Sequence, residues 1–346
     1  MNRLKLTESG EEKAASFDET EKILIRSVNK YEQQSYYYRC RFGRRYHRLY
    51  AGGGQSGFEI VLIDVNREKA LGEALDIKQA TPFLSPTKVY EGSYEDAEGS
   101  DIVVVTSGIG RKPGQSRIDL AQTNVDIIKS IAPEIVRHAP NAIYVIVANP
   151  VDVLTYVFCK VTGLPKGQVL GSGTILDTIR LRTRLSELYS INQKQVHAYV
   201  LGEHGDSSFV AWSTADITGI PLNDYDAALT NKAVLPITPY THEEVEEYVR
   251  KSGGKIIAGK GATFYGIAAS VCHIVKSIYS GADTVMTLST LLDGEYGLSD
   301  VCLSTLCILG NNGIQTTLTP KMSEDELEKL KHSAEVLKGV IAQLAI

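Results

Sequence analysis

The sequence predicts an α/β protein: a doubly wound parallel sheet with helices on both faces, continued by a mixed α+β C-terminal unit. Three observations carry this. Short, almost wholly apolar segments stand at 58–64, 101–106 and 141–148. A segment with helical apolar spacing separates the last two. After Pro150 the texture changes to intermixed helices and strands. Continuous apolar runs suit strands buried on both faces, and strand–helix alternation marks right-handed βαβ units.

The elements follow in order. Residues 1–22 are polar and read as a mobile terminus. FEIVLID (58–64), DIVVVT (101–106) and NAIYVIVA (141–148) read as strands. Between the last two, Leu120, Ile127, Ile131 and Ile135 repeat at helical spacing, with a kink expected at Pro133. Helices are expected near 151–161 and 174–189, then a strand at 196–202. A helix near 261–280, short strands around 285–308 and a charged amphipathic helix at 323–344 close the chain. The boundary is placed near 150, giving units at 1–149 and 150–346, with 31–57 anomalous in the first.

Composition excludes several classes. The 346 residues carry 36 Lys and Arg against 41 Asp and Glu, a formal net charge of −5. A mildly acidic chain is a poor nucleic-acid binder. No run of about 18 apolar residues offers a membrane span, and Met1–Asn29 lacks the apolar core of a secretory signal. The five cysteines (Cys40, Cys159, Cys272, Cys302, Cys307) are scattered and form no CxxC pair. Reduced thiols in a cytoplasmic protein are expected, without a metal site.

Two segments carry chemistry. In GSGTILDTIR (171–180), Asp177 and Arg180 stand at i and i+3 on one helix and face the same way. In LGEHGDS (201–207), His204 follows a strand. A histidine with a carboxylate partner is an acid–base pair, and an arginine beside it offers a planar fork to a substrate carboxylate. Alone, each is equally a surface histidine or a helix-surface ion pair. A third segment, TSGIGRKPGQSR (106–117), sets Gly108, Gly110, Pro113 and Gly114 among Arg111, Lys112 and Arg117. It reads as a mobile lid bringing positive charge over an anionic substrate, or as a solvated basic turn.

From Phe58 onward the chain resembles the bacterial L-lactate dehydrogenases of the lactate/malate dehydrogenase family. LGEHGDS carries the resemblance most specifically. VANPVDVLTY (147–156), GSGTILDTIR, AWSTADITGIPL (211–222) and KGATFYGIA (260–268) match as well. The resemblance implies a Rossmann-type sheet and an NAD-dependent oxidoreductase acting on 2-hydroxy acids. It implies that His204 exchanges the proton, Asp177 partners it, and Arg180 clamps the substrate carboxylate. Arg117 would polarise the C2 oxygen, Arg111 would read the far end of the substrate, Asn149 would reach substrate and nicotinamide, and Thr263 would line the side-chain pocket. Asp64, Lys69, Tyr94, Gly108, Ile109, Ser130, Val147 and Asn149 would contact NAD. An acid at 64 suits the ribose hydroxyls and repels a 2′-phosphate. Arg182 and His197 would bind fructose 1,6-bisphosphate as an allosteric activator. A cytoplasmic homotetramer in glycolysis and fermentation is implied, with no nucleic-acid or membrane partner.

Two departures stand out. Lactate enzymes of the family typically carry glutamine where this chain has Arg111. A guanidinium enclosed beside a methyl group lacks a counter-charge, which is costly; facing a second carboxylate it is satisfied. Arg111 therefore favours malate, whereas Thr263, Trp212 and the Arg182/His197 pair favour lactate. L-lactate dehydrogenase is the first reading. Malate dehydrogenase and a catalytically impaired remnant stay open.

The second departure is the N-terminal fingerprint. A dinucleotide fold needs a strand, then GxGxxG, then a helix, with an acid about 20 residues on. GGGQSG (52–57) has the letters, but a strand follows it and Asp64 comes too soon. The fingerprint belongs near 36–45. There Tyr36, Tyr37, Tyr38, Tyr46 and Tyr50 interleave with Arg39, Arg41, Arg44, Arg45 and Arg48. One permissible coding of Tyr38 to Arg45, shifted by a base, reads Ile-Gly-Ala-Gly-Ser-Val-Gly. Residues 31–57 are accordingly read as out of frame. The chain as written is expected to lose the central first strand, the phosphate-binding turn and the first helix, and to bind NAD weakly. Stacking and phosphate contacts to RNA are the competing use of this segment.

Overall fold

A computed structural model describes residues 37–41, 58–83, 87–110, 116–232, 234 and 236–346. The terminus at 1–22, the glycines at 52–57 and the turn at 111–115 lie outside the described residues. The chain opens with β1 (Tyr37–Arg41), β2 (Phe58–Ile63), α1 (Arg67–Ala80) and β3 (Thr87–Glu91). β4 (Ile102–Val105), α2 (Arg117–His138), β5 (Ile143–Ile146), α3 (Val151–Thr162), β6 (Val169–Gly171) and α4 (Ile175–Tyr189) follow. Short strands β7 (Val196–His197), β8 (Val200–Leu201), β9 (Phe209–Val210), β10 (Asp216–Ile217) and β11 (Ile220–Pro221) lead into α5 (Leu222–Ala228). Then come α6 (His242–Lys260), α7 (Tyr265–Ser280), β12 (Thr284–Asp293), β13 (Ser299–Gly310), β14 (Gly313–Leu318) and α8 (Glu324–Ile341).

One nine-stranded sheet runs through the molecule in the order β14-β13-β12-β6-β5-β4-β1-β2-β3. β2–β3, β4–β5 and β5–β6 pair in parallel, as the apolar runs require. β4 and β5 are buried at every position. Their side chains alternate between two cores. Val103, Val105, Tyr144 and Ile146 pack with Val125, Ile128 and Phe158 on one face. Ile102, Val104 and Val145 pack with Ile274 and Ile278 of α7 on the other. The doubly wound α/β expectation holds.

Several details differ from the sequence expectations. α2 runs unbroken through Pro133. Its buried stripe is Val125, Ile128, Ile131 and Ile135, while Leu120 and Ile127 are only half-buried. The strand expected at 196–202 is divided into β7 and β8. The short strands expected at 285–308 are a long antiparallel pair, β12 and β13. Their serines and threonines hid them: Thr287, Ser289, Thr290, Ser304 and Thr305 are all buried. Helix α6 was not foreseen, because only Val245 and Val249 of its residues are buried.

The largest correction concerns the central strand. The chain does not lose it: β1 fills the slot between β2 and β4, but runs antiparallel to both. The exposed backbone edges of β2 and β4 require a hydrogen-bonding partner, and an extended segment meets that need in either direction. Direction matters at the ends. Tyr37 pairs with Val105 and Ile63, whereas Arg41 pairs with Glu59. The chain thus leaves β1 at the amino ends of β2 and β4.

Candidate active site

The carboxyl ends of β4, β5 and β6 open into a cavity of about 650 Å³. Ligands of doubly wound sheets gather at such ends. The loop after β4 brings Gly108 and Ile109, and the loop after β5 brings Val147 and Asn149. α4 supplies Asp177 and Arg180, the loop after β8 supplies His204, and the segment after α6 supplies Thr263.

Three side chains converge as the spacing predicts. His204 Nδ1 lies 2.5 Å from Asp177 Oδ2. Arg180 Nη1 donates to Asp177 Oδ1 at 2.8 Å. Both carboxylate oxygens are therefore engaged. Asp177 is buried, and burial would raise its pKa, but His204 and Arg180 outweigh this and hold it below the usual value. Burial would lower the imidazole, but Asp177 outweighs that and the His204 pKa stands above its usual value. The result is an imidazole whose protonated form is favoured, with Nδ1 fixed on the acid and Nε2 facing away from that bond. Beneath the loop, buried Asp152 accepts the His204 backbone N–H at 2.7 Å, and burial pushes its carboxyl up to about 6.

The remaining expected residues divide. Asn149, Val147, Gly108, Ile109 and Thr263 line the same cavity. Arg117 opens α2 at the rim, where Nη1 donates to Asp206 Oδ2 at 2.5 Å and both side chains are exposed. Asp64 follows β2 directly, buried, and accepts the Asn66 backbone N–H. Lys69 lies on the first turn of α1, and Tyr94 packs against the core. Ser130 is exposed on α2 and donates back to the Ile127 carbonyl. Arg111 lies outside the described residues. Trp212 stacks on His242 at 3.9 Å and donates to Glu246, away from the cavity. Arg182 donates to the Ala198 carbonyl and lies over Tyr199, while His197 is exposed.

Sequence reasoning missed Asn124. Buried on α2, it accepts the Ile109 N–H at 2.8 Å and donates to the Asn149 carbonyl at 2.7 Å. It ties the two cavity loops together. A polar residue inside an otherwise apolar helical stripe was the available signal.

The residues fit a dinucleotide at two places. A Cβ on Gly108 would stand 3.3 Å from Ala148 Cβ and 3.4 Å from Asn124, so this close backbone approach suits a glycine and a flat ring beside it. The Asp64 carboxylate stands where ribose hydroxyls are read. The third place, the phosphate turn expected within 42–57, lies outside the described residues; Arg41, which precedes it, pairs with Glu59 near the amino end of β2.

Family models match most of the chain. Residues 45–171 match the lactate/malate dehydrogenase NAD binding domain, and 174–345 match that family's alpha/beta C-terminal domain. The L-lactate dehydrogenase of Thermoanaerobacterium saccharolyticum is 45% identical over 83% of this chain and 91% of its own. That of Acetivibrio thermocellus is 43% identical over 83% and 90%. A lactate dehydrogenase from a Medee basin deep-sea metagenome library superposes with TM-score 0.78 at 35% identity, covering 82% of this chain and 90% of its own. The minor L-lactate dehydrogenase of Enterococcus mundtii gives TM-score 0.76 at 35% identity, over 83% and 90%.

Proposed function

Because this chain belongs to the lactate/malate dehydrogenase family, we propose that its cavity is the site of an NAD-dependent L-lactate dehydrogenase, reducing pyruvate to L-lactate. The observation that carries this is the convergence of His204, Asp177 and Arg180 on one cavity. Arg180 is tied to Asp177 through one nitrogen, leaving donors for a substrate carboxylate. The His204 imidazolium then gives its Nε2 proton to the C2 oxygen. Asp177 stabilises that imidazolium and fixes its tautomer. NAD, when bound, supplies the hydride chemistry. Arg117, released from Asp206 at the rim, would add positive charge beside the developing alkoxide. Asn149 and Thr263 bound the substrate, and Gly108, Ile109, Val147 and Asp64 bound the cofactor. Lys69, Tyr94 and Ser130 stay proposals at the cofactor's margins.

The remaining parts of the reading concern partners. Residues 1–149 would serve the cofactor and 150–346 the substrate. Exposed Leu71 and Leu75 on α1, Ile179 on α4 and Tyr265 on α7 support burial between copies in a homotetramer. Arg182 and His197 would take fructose 1,6-bisphosphate, read as a leftward shift of the pyruvate saturation curve. A cytoplasmic place in fermentation agrees with the free thiols at Cys159, Cys272, Cys302 and Cys307. No helix among the described residues is long and apolar enough to cross a membrane.

Initial rates with pyruvate and oxaloacetate at high NADH test the function. Faster pyruvate turnover supports lactate dehydrogenase. A strong preference for oxaloacetate would assign malate instead, with Arg111 as its reader.

A further inference from the structure

Two of the cysteines face each other inside one core. Cys302 lies on β13, buried, and Cys159 lies near the end of α3, half-buried. The sheet register turns Cys302 toward α3. Ser289 of β12 stands opposite Ser304, and Leu291 opposite Cys302, so all four share one face of the antiparallel pair. α3 covers that face: a Cβ on Gly171 would lie 2.4 Å from Thr155 Oγ1 and 2.9 Å from Ser289 Cβ. The helix turns Cys159 toward the same face, because Asp152, Thr155, Tyr156 and Cys159 fall at i, i+3, i+4 and i+7. Tyr156 Oη donates to Asp300 Oδ1 at 3.1 Å and Lys160 Nζ pairs with it at 2.6 Å, two positions before Cys302. The two thiols meet there in a hydrogen bond. Burial first, and then this contact, push the Cys302 thiol well up.

The pair lies outside the catalytic cavity but is linked to it. Asp152 stands on the same face of α3, and its charge acts on the Cys302 thiol. Asp152 Oδ2 accepts the His204 backbone N–H at 2.7 Å. Cys307 belongs to the core on the other face of the sheet, and Cys272 lies on α7. Burial alone makes a thiol inert, but a half-exposed neighbour admits an oxidant. A disulfide needs Cβ atoms within about 4.5 Å of each other, and thiols in hydrogen-bond contact on facing elements approach that separation. Both thiols are reduced in this structure.

We propose that Cys159 and Cys302 are a modification site: a disulfide oxidant such as oxidised glutathione joins them reversibly, and the bond lowers turnover at His204. Formation of the bond stands apart from the 2-oxo acid reading; its effect on turnover rests on that reading. The Cys159 thiolate attacks one sulfur of the oxidant and expels a glutathione thiolate. The Cys302 thiolate then attacks the Cys159 sulfur and expels the second. The pair loses two electrons, and its two protons pass to the two glutathiones released. The high pKa of Cys302 makes the second step the slow one. Drawing α3 and β13 together moves Asp152, and with it the backbone that carries the imidazole.

The test incubates the chain with oxidised glutathione, alkylates the remaining thiols and maps the peptides by mass spectrometry. The expected product joins the Cys159 and Cys302 peptides, and dithiothreitol separates them again. Pyruvate turnover at high NADH should fall by about tenfold or more, the scale of a displaced catalytic group, and recover with the thiols. Cys159→Ser should form no bond and keep its turnover under oxidant. Cys302→Ala should stop at a mixed disulfide on Cys159. Thermal unfolding of the reduced variants checks that they are folded. The oxidised native chain should melt higher than the reduced one, because the bond closes a long loop. Two thiols that both alkylate after oxidation, or a bond to Cys40, Cys272 or Cys307 instead, overturn the proposal. So does a Cys159–Cys302 bond that leaves turnover unchanged. If the reduced chain converts no pyruvate, the 2-oxo acid reading fails, and the peptide map and the melting shift still decide the disulfide.

Discussion

The carboxyl ends of β4, β5 and β6 and the strand beside them, β1, meet the sequence expectations unequally. Around the first three, the polar groups form connected pairs. His204 meets Asp177, Asp177 meets Arg180, and Asn124 ties the loops. At β1 the sheet is complete in hydrogen bonding but reversed in direction. Filling a sheet needs only an extended backbone. Cradling a pyrophosphate needs the chain to turn into a helix at one particular end. A sheet can therefore keep its architecture while the direction of one strand changes.

The largest effect that sharpens this contrast is expected at the acid–base centre. His204→Asn should lower pyruvate turnover by about 10²–10⁴-fold, with NADH affinity little altered. An equal loss of NADH affinity would blur the two regions into one. Next is Arg180→Lys. Replacing a planar fork by a point charge should raise the KM for pyruvate by about a hundredfold, the scale of a lost charged contact worth about 3 kcal/mol. A rise in the KM for oxidised or reduced NAD instead would contradict the assignment of the clamp.

A smaller, pH-dependent effect follows from Asp177→Asn. Reduction uses protonated His204, whose pKa Asp177 raises above the ordinary 6.5. The native rate should therefore hold past pH 6.5 and fall as pH rises through the raised value. Without the carboxylate, burial weighs more heavily and the fall begins at lower pH than in the native chain. The same pair stabilises the fold. The histidine's contribution is full below 6.5 and is lost as pH climbs through its folded pKa. The aspartate's contribution is full above 3.8 and is lost as pH drops through its folded pKa. The variant's loss of Tm should peak between those two ordinary values. Smallest is Asp152→Asn. It keeps an acceptor for the His204 backbone N–H but removes a buried carboxylate that supports the imidazolium, so a modest acid shift of the rate profile is expected.

Much of this site was legible in the sequence, and for a physical reason. Asp177 and Arg180 are fixed to one another by helix geometry, and His204 sits in a short loop whose composition announces its chemistry. The parallel strands were legible because burial on both faces demands apolar runs. α6 was not, because it turns mainly glycines and charged residues toward cavity and solvent. β12 and β13 were legible as strands but not at their full length, because their buried serines and threonines imitate a surface. Least legible was the direction of β1. Strand direction depends on partners far along the chain, and the local Tyr/Arg composition carries no trace of it.

Calorimetric titration of NADH into the chain as written tests the contrast most directly. The reversed β1 predicts binding no tighter than about 1 mM, while the chain with 31–57 replaced by the shifted-frame reading binds at least a hundredfold tighter. Micromolar binding by the chain as written would contradict the account.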